Sequence, residues 1–534
     1  MVHIGIMSKF KLAPIFSEHM ILQRDKEMRI FGYGEQDDEV EVTLTFSHGE
    51  HMPLPYYCKT IIVDNKWEVV FPEPLAILGL DDVDDLKHVS VDIHVSCKGE
   101  AIKIKQAVFG EVFIVAGQSN MQFMLKETFE LEEAFPTRET LDLRYYFTPR
   151  ISYEGEDKSM EPSSWYLSTD KQFEMFSAVA YFFGQKIQAY VDCPIGIIGC
   201  NWGGSSLFSW ISEQECLEVE ETHEYMESLL QEMTKKSEKQ YENEQLKYDS
   251  EVRLYDKKVK RYLHDNPMVK ASYPLDFYYQ TKHLDGPWPP PMGYKSFLRP
   301  GGLYEHMVKS IAPYMVAGVL WYQGETDVML GSGYLAMLRM LFRSWRKLFK
   351  QKALFFFLVQ LPVFSSTSEE DKGRVLLREA QFQAAISDPY SAIACSLDLG
   401  DCYNIHPFLK KDIGYRMGLL AGKYLYKKVQ IAEGPRIRQV FQCDEGLKLS
   451  FTNAQHGIYA DYGKVLGFKV VEENQRYDVK ADIVGHDIVI PNHEIKNFSH
   501  VKKIEYAYES MTIGTVKNWK KLPLYPFSQS LSMQ

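Results

Sequence analysis

The chain has 534 residues, of which 45% are hydrophobic and 25% charged, and a net charge of −12. That length exceeds what one hydrophobic core serves and calls for two or three domains, while the composition excludes a disordered chain. The acidic balance excludes a nucleic-acid binder, and no apolar run approaches the roughly 20 residues that span a membrane.

The opening MVHIGIMSKFKLAP lacks an apolar core of signal-peptide length. The eight cysteines (Cys58, Cys97, Cys193, Cys200, Cys216, Cys395, Cys402, Cys443) form no Cys-x-x-Cys pair and no zinc spacing. Both features point to free thiols in a reducing, cytoplasmic setting, with no metal and no cofactor expected.

From residue 10 to about 104, short alternating runs (Met28 to Phe31, Val40 to Phe46, Thr60 to Val63, Trp67 to Phe71, Val89 to Val95) are divided by Gly, Asp, Asn and Pro. They predict an N-terminal β-domain, residues 1–104, that packs or frames substrate and carries no chemistry of its own.

From 105 to 430 the pattern changes to apolar strands alternating with helices. Strands are expected at Val112 to Val115, Pro194 to Cys200, Val316 to Tyr322, Ala353 to Leu361 and Ala392 to Leu397. Helices are expected at Ser177 to Tyr190, Gly333 to Phe349, Arg374 to Ile386 and Asp412 to Lys427. Such alternation predicts an α/β fold, a parallel sheet with helices on both faces and its ligand site beyond the carboxyl ends of the strands. Residues 213–298 interrupt it. A Glu- and Lys-rich stretch to about 265 reads as an inserted helical hairpin with solvated faces, and the Pro- and aromatic-rich segment from Tyr273 to Gly302 reads as irregular chain that could frame the rim of a site. Short alternating runs return in a C-terminal β-domain, residues 431–534.

Four strand ends carry chemistry. Ser119 follows the first, in VFIVAGQSNMQFM, where a glycine turn lifts a serine from the sheet and the helix behind it leaves free N–H groups. Gly203 and Gly204 follow the second, Gln323 and Glu325 the third, and Asp398, Asp401 and His406 the last. Each has an ordinary reading as turn or cap chemistry. Together they supply a nucleophile (Ser119), a base (His406), a carboxylate near it, and oxyanion donors from the Ser119 N–H, a glycine N–H and the Gln323 amide.

Gly117-Gln118-Ser119-Asn120-Met121, Trp321 to Asp327 (WYQGETD) and Ile405-His406-Pro407 resemble the motif set of the sialate O-acetylesterase family, a branch of the SGNH hydrolases. PIFSEHMILQRD, WGGSSLFSWIS, LREAQ at Leu377 to Gln381 and LPLYPFSQS extend the resemblance over most of the chain. PWPPPMG and the charged insertion resemble variants without an inserted carbohydrate-binding-like domain.

The resemblance implies an SGNH, flavodoxin-like three-layer domain with Ser119 as nucleophile, His406 as base, and Gly203 or Gly204 with Gln323 as oxyanion hole. The acid departs from the pattern. Many SGNH enzymes place Asp three residues before the histidine, where this chain has Tyr403, and relatives often read Asp-Ile-His-Pro where this chain has Asn404. Asp401 is the first choice, with Asp398 behind it and Glu325 as rival. The expected activity is O-acetyl removal from sialic acid or another small acetylated sugar through an acetyl-enzyme. The alternatives are an acetylxylan or other polysaccharide deacetylase, and a catalytically inactive carbohydrate-binding protein on the same fold.

Overall fold

Residues Glu100–Gly117 form a single strand, β1, whose two halves have different surroundings. Its first half is largely exposed, while every residue from Phe109 to Gly117 is buried. The sequence changes accordingly from polar KIKQ to apolar VFIVA, because only the second half is covered on both faces. The computed structural model describes residues 10–48, 55–128, 130–156, 163–266, 286–473 and 475–531.

The first half of β1 belongs to the N-terminal β-region. It pairs antiparallel with Val89–Cys97 through a tight turn in which Lys98 and Gly99 both have positive φ. Since the same strand continues into the central sheet, the expected boundary at 104/105 falls inside a strand.

The central sheet adds Leu143–Phe147 (β2), Trp165–Leu167 (β3), Ile195–Asn201 (β4), Gly318–Tyr322 (β5), Phe355–Val359 (β6) and Ser391–Ala394 (β7) in the order β3-β2-β4-β1-β5-β6-β7. All neighbours from β2 to β7 run parallel, and only β3 is antiparallel. The five expected strands stand in the flavodoxin-like order second-first-third-fourth-fifth. β2 and β3 extend the edge and escape the sequence reading, because LRYYF and WYL mix charge and aromatic groups without an apolar run.

Gly117 stands level with Asn201 on one side and Tyr322 on the other, so three loops leave the sheet at the same height. β1 lies between β4 and β5, where the strand order reverses and an open parallel sheet presents its crevice.

Helices Ser119–Gln122 (α1), Ala178–Ile187 (α2), Tyr334–Leu348 (α5), Ser368–Ser387 (α6) and Lys410–Tyr424 (α7) accompany these strands. α2 lies close to α7 at Gly414, where a Cβ would come within 2.6 Å of the Val179 carbonyl oxygen. α6 begins before the expected Arg374, because the Thr367 hydroxyl caps the Glu370 N–H at 3.3 Å and Glu369, Glu370 and Asp371 favour a helix N-terminus.

The insertion contains the expected hairpin, His223–Thr234 (α3) and Glu238–Asp265 (α4), the latter started by a Ser237/Gln240 capping box. Of the segment from Tyr273 to Gly302, residues 273–285 lie outside the described residues. Residues 286–300 form no helix or strand.

The C-terminal region makes two four-stranded sheets and a two-stranded one. It is held to the central domain by Lys517 on Asp398 at 3.0 Å and by the Tyr525 hydroxyl donating to the Ile393 carbonyl at 2.5 Å. All eight cysteines are free. No helix among the described residues is long and apolar enough to cross a membrane, and no group of three or more His, Cys, Asp or Glu among them could hold a metal ion.

Gly117 has φ +131°, and a Cβ there would lie 2.1 Å from the Tyr322 carbonyl oxygen. Gly117→Ala should therefore cost about 2 kcal/mol or more, seen as a lower unfolding midpoint. Gly485→Ala is the control: φ is +67° but no atom lies within 4 Å, so only the conformational cost of about 1 kcal/mol applies. Equal midpoints for Gly117→Ala and the unaltered protein would contradict the close approach.

Candidate active site

The end of β1 is fixed on both sides. The Trp202 N–H donates to the Gly117 carbonyl at 3.0 Å, and the Gln118 N–H to the Tyr322 carbonyl at 3.1 Å. The Gln118 carboxamide oxygen accepts the N–H groups of Gly324 and Thr326 at 3.3 and 3.4 Å, joining the first and third loops. Ser119 then opens α1, its N–H among those a helical first turn leaves without an internal acceptor.

Ser119 Oγ lies 2.7 Å from His406 Nε2 across 287 positions of sequence. The two line a cavity of about 490 Å³ with Gly203, Gly204, Trp288, Glu325, Phe364, Glu370 and Arg374 on its wall. Burial, followed by the nearby Lys410 cation, pulls the His406 pKa down to about 4. The imidazole is thus neutral at pH 7 and able to take a proton.

The glycine turn is close to the serine: a Cβ on Gly203 would stand 3.4 Å from Ser119 Cβ. The Gly203 N–H donates to Gln122 Oε1 at 2.7 Å. Gly204 needs its φ of +75° and its missing Cβ, which would strike the Trp288 ring at 2.1 Å.

Gln323 does not face this cavity. Its Nε2 donates to the Ser205 carbonyl at 3.1 Å and to Asp327 Oδ2 at 2.6 Å, and its Oε1 accepts from the Tyr334 hydroxyl at 2.6 Å. Both amide hydrogens are committed, which corrects the expectation of an oxyanion donor there. Gln323 instead braces the second loop from below, together with Asp327, which also accepts from the Ser206 hydroxyl and the Leu207 N–H, each at 2.7 Å. Gln381, from the LREAQ stretch, holds the Gln323 carbonyl at 3.0 Å.

The candidate acids separate clearly. Asp398 takes a two-pronged contact from Arg416 at 2.6 and 2.8 Å and Lys517 at 3.0 Å. Burial pushes its pKa up, but these cations outweigh it and the net shift is downward, so Asp398 is a structural anchor. Asp401 Oδ1 accepts the N–H groups of Tyr403 and Asn404 at 2.8 and 3.1 Å, shaping its own loop. Glu325 lines the cavity with Ser119 and His406. Its Oε1 accepts from Asn120 Nδ2, and its Oε2 is buried without a hydrogen-bond partner. Burial raises its pKa against the opposing pull of Asn120, Arg374 and Lys410.

Two residues absent from the sequence reading of the site hold it together. Asn120, fully buried, donates from Nδ2 to Glu325 and to the Ile405 carbonyl (2.9 Å), and accepts at Oδ1 from Lys410 Nζ at 2.6 Å. It joins the Ser119 turn, the third loop, the histidine loop and α7. Lys410, 0% exposed, lies 4.7 Å from the Phe123 ring centroid and 5.7 Å from that of Tyr322. Burial lowers its pKa to about 7 despite the attraction of Glu325, Glu130 and Glu127. An asparagine beside a candidate nucleophile was the one signal in sequence, and it also reads as a helix cap.

Residues 292–406 match the family model for the carbohydrate esterase, sialic acid-specific acetylesterase family. The chain is 22% identical over 458 residues to the sialate O-acetylesterase of Mus musculus, covering 81% of this chain and 76% of that protein. It is 22% identical over 463 residues to that of Homo sapiens, covering 80% and 73%. Among solved structures, a carbohydrate acetylesterase from Xanthomonas citri superposes with a TM-score of 0.71 over 97% of this chain and 99% of that one at 20% identity, which shows a shared fold.

Asn120→Ala would leave the Lys410 ammonium and Glu325 without their partner. An unfolding titration should show a loss of about 1–3 kcal/mol, the usual cost of leaving a buried polar group without its hydrogen-bond partner. Lys410 gives a pH signature. Its pKa falls from 10.5 to about 7 on folding, so between those values the unfolded chain holds a proton that the folded chain releases. Stability from this group therefore rises with pH across that window. Lys410→Met should flatten the midpoint-versus-pH curve between pH 7 and 9.5 relative to the unaltered protein, and parallel curves would refute the shift.

Proposed function

Since the chain belongs to the sialate O-acetylesterase family, a group of carboxylic ester hydrolases, we propose that it removes O-acetyl groups from sialic acid or a related sugar by a serine mechanism. The observation that carries this reading is the 2.7 Å contact between Ser119 Oγ and a neutral His406 inside a cavity. Ser119 attacks the acetyl carbonyl while His406 Nε2 takes its proton. The proton then passes to the departing sugar oxygen, and a water activated by the same imidazole hydrolyses the acetyl-enzyme. The N–H groups of Ser119 and Gly204 donate to the oxyanion, joined by that of Gly203 when Gln122 turns aside.

We assign Glu325, rather than Asp401, as the carboxylate that stabilises the imidazolium. Glu325 lines the cavity with His406 and has an unpartnered buried oxygen, whereas Asp401 caps its own loop. The two helix pairs, α2 with α7 and α5 with α6, support reading the domain as SGNH-like, with one pair on each face of the sheet. We also infer a cytoplasmic setting, which favours small imported sugars over insoluble polymer.

Steady-state hydrolysis of 4-nitrophenyl acetate tests the mechanism. Ser119→Ala should fall about 10³-fold or more, and Glu325→Gln about 10²–10⁴-fold, with Asp401→Asn close to normal. Background-level rates in the unaltered protein and in Ser119→Ala alike would favour the inactive carbohydrate-binding reading. With His406 held near a pKa of about 4, the acid limb of kcat/KM should lie well below pH 6.5. Release of acetate from 9-O-acetyl sialic acid compared with acetylated xylo-oligosaccharides decides the sugar, and a preference for xylan would overturn the sialate assignment.

A further inference from the structure

Arg374 stands in the wall of the cavity that holds Ser119 and His406, yet it is only 2% exposed. Its guanidinium lies 4.9 Å from the Phe364 ring centroid. Its Nε is buried with no acceptor, and among the described residues the group makes no hydrogen bond or ion pair.

Two other buried arginines have close carboxylate partners. Arg24 holds Glu111 at 2.8 Å and Asp84 at 2.7 Å, and Arg416 holds Asp398 with two contacts. Arg378, one turn beyond Arg374 on α6, leaves Nε and Nη1 without acceptors but donates from Nη2 to the carbonyls of Glu509 and Ser510, and unlike Arg374 it does not line the cavity. A buried, unpartnered guanidinium is costly and calls for an explanation.

The carboxylates around Arg374 do not supply one. Glu325 exerts a Coulombic pull on Arg374 but gives Oε1 to Asn120 and makes no ion pair with the guanidinium, and Asp371 Oδ1 accepts the Ser366 N–H at 3.1 Å. Glu370 shares the cavity wall without reaching ion-pair distance. Burial lowers the Arg374 pKa from its ordinary value, the direction expected for a cation deprived of water and of a close counter-ion.

A planar fork of donors, fixed against an aromatic ring and facing a cavity, is suited to one class of group: a carboxylate held by two parallel N–H···O bonds. We propose that Arg374 binds the carboxylate of the substrate, so that the sugar whose acetyl ester reaches Ser119 is a sugar acid. The inference rests on the esterase reading and adds to it a residue that selects the substrate. Stacking on Phe364 keeps the fork oriented before the ligand arrives, and Glu370 on the same wall is placed to accept sugar hydroxyls. The neutral sugar of a xylan would leave the guanidinium buried and unpaired, which is the penalty that makes the selection.

The test compares 9-O-acetyl-N-acetylneuraminic acid with its methyl ester, which keeps the acetyl group and the sugar but removes the charge. The unaltered protein should favour the free acid by roughly 10–100-fold in kcat/KM, chiefly through KM. Arg374→Met should bring that ratio close to one, and Arg374→Lys, which keeps the charge but not the fork, should leave it in between. An acid-to-ester ratio near one in the unaltered protein would overturn the proposal, as would a ratio that Arg374→Met leaves intact.

Calorimetry on Ser119→Ala with N-acetylneuraminic acid and its methyl ester reads the same ratio as Kd without turnover. A loss of acid preference in Ser119→Ala/Arg374→Met would uphold Arg374 even if no deacetylation occurred, in which case the esterase reading alone would fall. An O-acetylated galacturonic acid forms the third arm. If it outruns the sialate and depends on Arg374, the sugar-acid class stands with a uronic acid as substrate.

Discussion

The carboxamide of Asn120 is the contact on which the site depends. Its three hydrogen bonds reach Glu325, the Ile405 carbonyl and Lys410, on segments 205 to 290 positions away in sequence. An uncharged amide, donor at one end and acceptor at the other, can bridge a carboxylate and an ammonium while a second N–H holds a carbonyl. Because Asn120 follows Ser119 directly, whatever fixes the amide also fixes the serine and brings His406 to 2.7 Å from it. Each of these groups would be expensive alone in a buried setting, and the amide partners all of them except the second oxygen of Glu325.

The sheet makes this convergence possible. Gly117 lies level with Asn201 and Tyr322, so the serine, glycine and Gln-Gly-Glu loops begin from one plane. The close approach of Gly117 to the Tyr322 carbonyl is part of that levelling, because any side chain there would force β1 and β5 apart. Beneath, Gln323 and Asp327 bind the loop after β4 to the loop after β5. The Gln-Gly-Glu-Thr-Asp run thus divides its labour: Gln323 and Asp327 face inward and brace, while Glu325 and Thr326 line the cavity.

What the sequence made legible follows from how local each signal is. The apolar runs of β1, β4, β5, β6 and β7 each announce a doubly covered strand, and their ends announce the loops that carry Ser119, Gly203, Gly204, Glu325 and His406. Roles that depend on side-chain direction were hidden. Whether the Gln323 amide points up at the serine or down at Asp327 depends on the Tyr334 hydroxyl and Gln381, both on later helices. Asp401, nearest to the histidine in sequence, is turned to its own backbone, and Glu325, 81 positions before His406, shares its cavity. Lys410 and Arg374 left no trace, because in a sequence they are two ordinary cations on amphipathic helices.

Those two cations give the site its electrostatic character. Lys410 reaches the Ser119 turn through Asn120, and burial, followed by the Lys410 charge, lowers the His406 pKa. A neutral imidazole is what a general base requires, but a cation nearby also opposes the imidazolium that forms once the proton has moved. The role proposed for Glu325 answers this conflict. Burial raises the Glu325 pKa, while the Asn120 amide, Arg374 and Lys410 pull the other way and favour its ionised form. In the proposed mechanism, a carboxylate so placed would return to the imidazolium the stabilisation that Lys410 withholds.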